Sequence, residues 1–140
     1  MNEAPPEEDF TPGPDDTIVR PSAPHIAPSP LETKVTFRAY LEVVAGASFG
    51  KRFYLSCQEE HIIGRSTEVA IPLVDDQISR LHARVVCANE LFVLMDMDSK
   101  NGTFLNEMRI HECPLHTGDE ITVGNHRLQF LFEPVRTTSV

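Results

Sequence analysis

Three short runs of small, polar and basic residues carry the chemistry this chain offers. They are Gly64-Arg65-Ser66, Ser79-Arg80-Leu81-His82-Ala83 and Ser99-Lys100-Asn101-Gly102-Thr103-Phe104-Leu105-Asn106. An arginine fork, a serine hydroxyl, a second basic pair and an asparagine amide are all donors to an anion, and arginine suits a planar, multidentate oxyanion best. A phosphorylated threonine brings about −1.5 to −2 charges and three strong acceptor oxygens. The set therefore suits the capture of a phosphorylated side chain. No nucleophile, base and orienting group stand together in a pattern that would support catalysis.

Each run lies where strand-like sequence gives way to a turn. Ile62 and Ile63 lead into Gly64 and Arg65, and Ile78 precedes Ser79 and Arg80. The apolar run Phe92 to Asp96 precedes the turn Ser99 to Gly102. Functional side chains thus belong to three loops held by a sheet scaffold. From Val35 to Val43, apolar and polar residues alternate with a period of two, the pattern of a half-buried strand. Further strand candidates are 52–56, 61–64, 69–73, 83–88, 91–96, 103–105, 120–123 and 127–132, with turn chemistry at Ala45 to Ser48, Gly102, Gly118-Asp119 and Gly124-Asn125. No window sustains a 3.6-residue period. Short strands at this spacing predict an all-β sandwich.

The ordered series, with 14 positions from Arg65 to Ser79 and 22 from Ser79 to Asn101, resembles the signature of the forkhead-associated (FHA) domain, a phosphothreonine-peptide binding module. The resemblance covers about residues 38–132 and includes Gly50 to Leu55 and Gly118 to Gly124. It implies a sandwich of about eleven strands whose termini lie together, away from the binding loops. It also implies that Arg65 and Ser79 grip the phosphate, that Arg80 adds charge or a backbone donor, and that Asn101 fixes the peptide main chain. Lys100 stands where the family often has a small polar residue lining the slot for the threonine methyl group. His82 is expected to be buried as a brace, with Gly64, Gly102 and Thr103 as turn formers and Asn106 as a further support.

Composition sets the frame for these expectations. The chain has 140 residues, 41% of them hydrophobic, and a net charge of −9, enough for one modest core. Residues 1–34 hold eight of the eleven prolines and seven acidic against two basic residues, leaving fourteen acidic and ten basic in the rest. Such a proline-rich, acidic segment with few aromatics buries too little apolar surface to offset its ordering entropy. The expected layout is a disordered regulatory tail over 1–34, an FHA domain over 35–133 and a C-terminal tail or linker over 134–140. The acidic total argues against nucleic acid and anionic membrane as partners, because both demand a basic face. Nothing reads as a signal peptide or a long apolar run. Cys57, Cys87 and Cys113 are odd in number and lack zinc-site spacing. They are expected to be structural thiols of a chain in a reducing cytoplasm.

Two further patterns fail on their own residues. Asp96, Asp98 and Glu107 mimic a calcium loop, but lysine stands at its fifth place and its glycine comes one place late. Gly118-Asp119-Glu120-Ile121 superficially resembles a cyclase motif without that motif's second glycine or its surrounding fold. No cofactor and no metal are expected. The tail carries Thr17 in Asp15-Asp16-Thr17-Ile18-Val19-Arg20, and Thr11 before Pro12. Some bacterial FHA proteins bind their own tail once a kinase phosphorylates it, so the resemblance makes Thr17, then Thr11, candidate phosphorylation sites for a Ser/Thr kinase. As a flexible chain, the stretch from Thr17 to Val35 spans about 23 to 25 Å, against roughly 35 Å across a 100-residue domain. The expected function is phosphothreonine-peptide recognition in signal transduction, regulated by the chain's own phosphorylated tail. The alternatives are the regulatory head of a longer signalling enzyme, such as a diguanylate cyclase or kinase, and a phosphate-independent scaffold.

Overall fold

The computed structural model describes residues 33–138, entirely as strands, turns and loops, and Val35–Arg136 form a compact unit. Thr11 and Thr17 lie outside the described residues. Eleven strands run in order: β1 (Thr33–Ala45), β2 (Arg52–Tyr54), β3 (His61–Gly64), β4 (Ile71–Pro72), β5 (Ala83–Ala88), β6 (Leu91–Asp96), β7 (Thr103–Leu105), β8 (Met108–Ile110), β9 (Glu112–Pro114), β10 (Glu120–Val123) and β11 (His126–Thr138). They form one sheet ordered β2-β1-β11-β10-β7-β8 and a second ordered β4-β3-β5-β6-β9.

Alternation dictates the core between the sheets. Ala39, Leu41 and Val43 of β1, Leu128 and Phe130 of β11, and Ile121 and Val123 of β10 face Ile63, Ala83, Val85 and Leu94 of the second sheet, all buried. Side chains of period two leave one face dry and the other wet. On the wet face of the first sheet, Arg38 pairs with Glu133 at 2.7 Å and lies over the Tyr54 ring, while Arg52 reaches Glu42 at 3.0 Å. His126 at the start of β11 meets Gly46 just past the end of β1, and Arg38 meets Glu133 farther along. The two longest strands therefore run antiparallel.

Register places the three polar runs at one end. Ile63 of β3 pairs with Ala83 of β5, and Ala83 pairs with Asp96 of β6. The end of β3, the start of β5 and the end of β6 are thus neighbours, and β7 begins seven residues beyond Asp96 at the end of the loop that leaves β6.

The structure departs from the sequence reading in four places. The strands β8 and β9 escape it because each has three residues, largely exposed, and β9 ends on Pro114 at a sheet edge, where proline is tolerated. The expected strand 69–73 shrinks to Ile71–Pro72, running parallel to β3. The last strand continues through Thr138, past the expected boundary at 133. Cys57 and Cys87 are not free thiols but a disulfide, with Cα atoms 4.8 Å apart, and only Cys113 of the three is free. The reason is spatial: β3 pairs antiparallel with β5, so the β2–β3 turn comes back over the far end of β5. The cysteine argument for a reducing compartment therefore fails. Among the described residues, no helix is long and apolar enough to cross a membrane.

The disulfide closes a loop of 30 positions, which in the chain-entropy picture is worth about 3 to 4 kcal/mol. A reductant, or Cys57→Ser, is expected to lower the thermal midpoint by more than about 5 °C. An unchanged midpoint in differential scanning calorimetry would show that the cross-link does not constrain the chain.

Candidate functional site

All five expected ligand-binding residues come together. Arg65, Ser79, Arg80, Lys100 and Asn101 line one open depression of about 380 Å³, with Asp76, Gln77 and Ile78 completing it. Three cations face one carboxylate there, in a chain that is acidic as a whole. A larger depression of about 430 Å³ lies on the other side of Arg80, between Glu60, Ile62, Glu68 and Leu81. Its acidic and apolar lining offers an anion far fewer donors, so chemistry and not size selects the first.

The loops are held by backbone and side-chain bonds that leave the outward donors free. Arg65 N–H donates to Ser79 O at 3.0 Å and Ser66 N–H to Arg80 O at 3.3 Å, tying the β3–β4 loop to the β4–β5 loop. Arg65 Nε donates to Ile78 O at 3.1 Å, which aims the guanidinium and leaves its two terminal nitrogens for a ligand. Gly64 permits this closeness: a Cβ there would run into Arg80 O. Ser79 Oγ accepts Lys100 N–H at 3.0 Å, so its own proton is free to be donated outward. The main chain of Lys100 thus fixes Ser79 while its ammonium only lines the rim. Asn101 Nδ2 donates to Gln77 O at 2.9 Å and to Gln77 Oε1 at 3.3 Å, leaving Oδ1 as an acceptor at the rim.

His82 sits beneath, fully buried. Its Nδ1 accepts Ser79 N–H at 3.0 Å. That bond leaves the ring proton on Nε2, which donates to Gly102 O at 2.8 Å. One neutral ring joins the loop before β5 to the loop before β7.

Asp96 holds the second of these loops from inside. Its Oδ1 accepts Ser99 Oγ–H and Thr103 Oγ1–H, each at 2.6 Å, and its Oδ2 accepts Ser99 N–H at 3.2 Å. Ser99 Oγ in turn accepts Gly102 N–H at 3.0 Å. Burial pushes the Asp96 carboxyl up, but the bonds from Ser99 and Thr103 outweigh it and hold the group below its ordinary value. Thr103 is therefore a buried donor to Asp96 more than a turn former. Gly102 is the turn residue, at φ 93°. Asp75 is a second hub, accepting from Gln77 N–H, Asn125 N–H and His126 Nδ1–H. Burial raises it too, and the same bonds win and lower it.

Asn106 proves not to support the depression. It lies past the other end of β7, with Nδ2 donating to Asp119 Oδ1 at 3.0 Å and Oδ1 accepting Glu120 N–H at 2.9 Å, so it braces a different pair of turns. The sequence reading gave no role to Gln77, Asp75 or Ser99, and met Asp96 only as the end of a strand and inside the rejected calcium pattern. Among the described residues, no group of three His, Cys, Asp or Glu side chains is placed to hold a metal ion.

The FHA domain family model matches residues 61–124, the stretch that carries every one of these loops. The oxoglutarate dehydrogenase inhibitor of Corynebacterium efficiens is 40% identical over 69% of this chain and 67% of its own length. This chain belongs to the FHA family. The glycogen accumulation regulator GarA of Mycobacterium tuberculosis is 38% identical over 69% of this chain, and the chain spans about 59% of that relative's length. Both relatives carry the names of regulators, not of enzymes. Among solved structures, an FHA domain studied for its phosphothreonine-dependent interactions superposes with a TM-score of 0.63 at 28% identity, covering 70% of this chain and 99% of its own. The FHA sandwich expected from the sequence is the fold observed.

Two outcomes follow from the brace. His82→Ala leaves Ser79 N–H and Gly102 O unpaired, at about 1 to 3 kcal/mol each, and is expected to lower the thermal midpoint. An unmoved midpoint with binding alone lost would make His82 a ligand contact. Asp75 and Asp96 are depressed in the folded state, so their stabilisation is complete above the ordinary carboxylate value of 3.8 and is lost as pH falls through the lower folded values. Asp96→Asn should therefore flatten the acid limb of the stability curve, measured by urea unfolding across pH.

Proposed function

We propose that this FHA domain is a phosphothreonine-peptide reader in signal transduction, and that the chain's own tail, phosphorylated at Thr17 or otherwise at Thr11, is a ligand. The supporting observation is the convergence of Arg65, Ser79, Arg80, Lys100 and Asn101 around one depression, with the Ser79 hydroxyl proton and the Arg65 terminal nitrogens unspent.

Each residue then has a role that its geometry allows. The Arg65 fork and the Ser79 hydroxyl donate to phosphate oxygens, and Arg80 and Lys100 add positive field. The Asn101 Oδ1 accepts a peptide N–H beside the phosphothreonine, and its Nδ2 exchanges Gln77 for a peptide carbonyl. A rigid, donor-lined receptor binds a dianion without reorganising first, which is what preorganisation contributes. A tethered tail reaches an effective concentration on the order of millimolar, enough to occupy a site of micromolar affinity. The partner in this reading is a phosphothreonine-containing peptide, from the tail or from another protein, made by a Ser/Thr kinase. The chain works on the cytoplasmic side, where such a kinase finds ATP.

Arg65→Ala and Ser79→Ala are each expected to weaken a phosphothreonine peptide at least about tenfold, since charge-assisted hydrogen bonds contribute roughly 1.5 to 3 kcal/mol. Calorimetric affinity unchanged in both would remove these residues from the site. Phosphothreonine should bind more tightly than phosphoserine in the same peptide, and equality would remove the methyl slot beside Lys100. For the tail, NMR of the full chain should show the tail resonances shifting and broadening on phosphorylation, with Arg65→Ala as control. Tail resonances unchanged by phosphorylation, together with undiminished binding of an external phosphopeptide, would exclude self-recognition.

A further inference from the structure

The loop that carries Lys100 and Asn101 is covered on its outer side by a residue with no role so far. Arg109 of β8 lies across Gly102: a Cβ at Gly102 would meet Arg109 Nε at 2.8 Å, Cζ at 3.0 Å and one terminal nitrogen at 3.3 Å. The absence of a side chain at Gly102 is what lets the planar guanidinium rest against the loop. Register supports the placement, because Arg109 stands opposite Phe104, two residues past Gly102 in β7.

Arg109 also differs from three other arginines of the strands, and from Arg127 and Arg136 of β11, which likewise show no carboxylate partner among the described residues, in lying against the Gly102 loop. Arg38, Arg52 and Arg84 each have a carboxylate within 3.2 Å. Arg109 is exposed and has no carboxylate partner among the described residues. Its guanidinium is oriented by the loop it covers, and its outward donors have nothing to satisfy them. A planar fork held this way takes a carboxylate side-on through two parallel bonds.

We propose that Arg109 is a second anion-binding position of the site, taking an acidic side chain of the peptide whose phosphothreonine occupies the Arg65 and Ser79 depression. The inference rests on the phosphothreonine reading above and adds a preference for acidic flanking residues. Distance allows it: Gly102 adjoins Asn101, which lines the depression, and an extended peptide covers roughly 10 Å in three residues. An aspartate or glutamate within about three places of the phosphothreonine therefore reaches the guanidinium. Of the neighbouring charges, Lys100 and Arg80 reinforce the preference, whereas Asp76 on the depression wall and Asp98 in the same loop oppose it. The opposing pair keeps the selectivity modest. In the sequence itself, Asp15 and Asp16 immediately precede Thr17, so the peptide around Thr17 meets the requirement.

The test uses the full chain and four synthetic peptides around Thr17: phosphorylated with Asp15-Asp16, phosphorylated with both changed to asparagine, phosphorylated with both changed to lysine, and unphosphorylated. Calorimetry at low salt is expected to give a preference of about threefold to fivefold for the aspartate over the asparagine peptide, the size of an exposed charge pair. The preference should fade at high salt. In Arg109→Gln the ratio should fall toward one, and in Arg109→Glu the lysine peptide should become the better ligand, a reversal that a merely structural arginine would not produce. Thermal unfolding of the variants separates this from damage to the loop. An aspartate preference that survives in Arg109→Gln, or no preference in the parent chain, would overturn the assignment while leaving phosphate recognition intact. Equal binding of phosphorylated and unphosphorylated peptides would overturn phosphate recognition and this assignment with it.

Discussion

The site depends on one buried imidazole. Ser79 N–H donates to His82 Nδ1, and His82 Nε2–H donates to Gly102 O, so a neutral ring ties the loop that supplies the phosphate donors to the loop that supplies Asn101 from beneath, as Lys100 N–H and Asn101 Nδ2 tie them at the rim. Neither loop has strand hydrogen bonds at that point to do the same. A protonated ring would have no acceptor for Ser79, and the opposite tautomer would set its Nδ1–H against the Ser79 donor and its Nε2 lone pair against the Gly102 acceptor. The ring works only in the one state that its two partners impose. Asp96 performs the matching task within the second loop, where Ser99 and Thr103 bind the same oxygen.

Histidines recur as loop clamps elsewhere in the sandwich. His61 Nε2 accepts Ser56 N–H at 3.0 Å, and His126 accepts Ser48 N–H at 3.4 Å while donating to Asp75 at 3.0 Å. In each case a buried ring satisfies a serine amide that no strand pairs. Loops this well satisfied can present unpaired donors to solvent without collapsing on them, because the polar groups that face inward already have partners. The arrangement explains how a chain of net charge −9 keeps a cationic depression: only a few side chains need to be oriented, and the scaffold orients them.

Much of this was legible in the sequence, for physical reasons. Alternation in Val35 to Val43 identified β1, and the transition from apolar runs to Gly64, Ser79 and Ser99 located all three loops. That Arg65, Ser79, Arg80, Lys100 and Asn101 share one site was what the resemblance implied. Asp96 was not legible, because an aspartate that ends a strand looks the same whether it faces solvent or three donors. Arg109 was hidden by a strand of three residues, too short for periodicity to show. Asn106 misled because it sits in the same run as Gly102, yet β7 carries it to the far side. The cross-link between Cys57 and Cys87 escaped because 30 positions of sequence conceal an antiparallel pairing that brings the two ends together.

The central claim is that clamped loops form a preformed receptor for a phosphothreonine. Amide chemical-shift mapping of the full chain during titration with a phosphothreonine peptide tests it most directly. The account predicts perturbations concentrated at Arg65, Ser79, Arg80, Lys100, Asn101 and Gly102, with the β2, β4 and β9 amides still and the His82 ring retaining its Nε2 proton. Perturbations centred elsewhere on the sandwich, or a His82 ring that changes its protonation on binding, would contradict it.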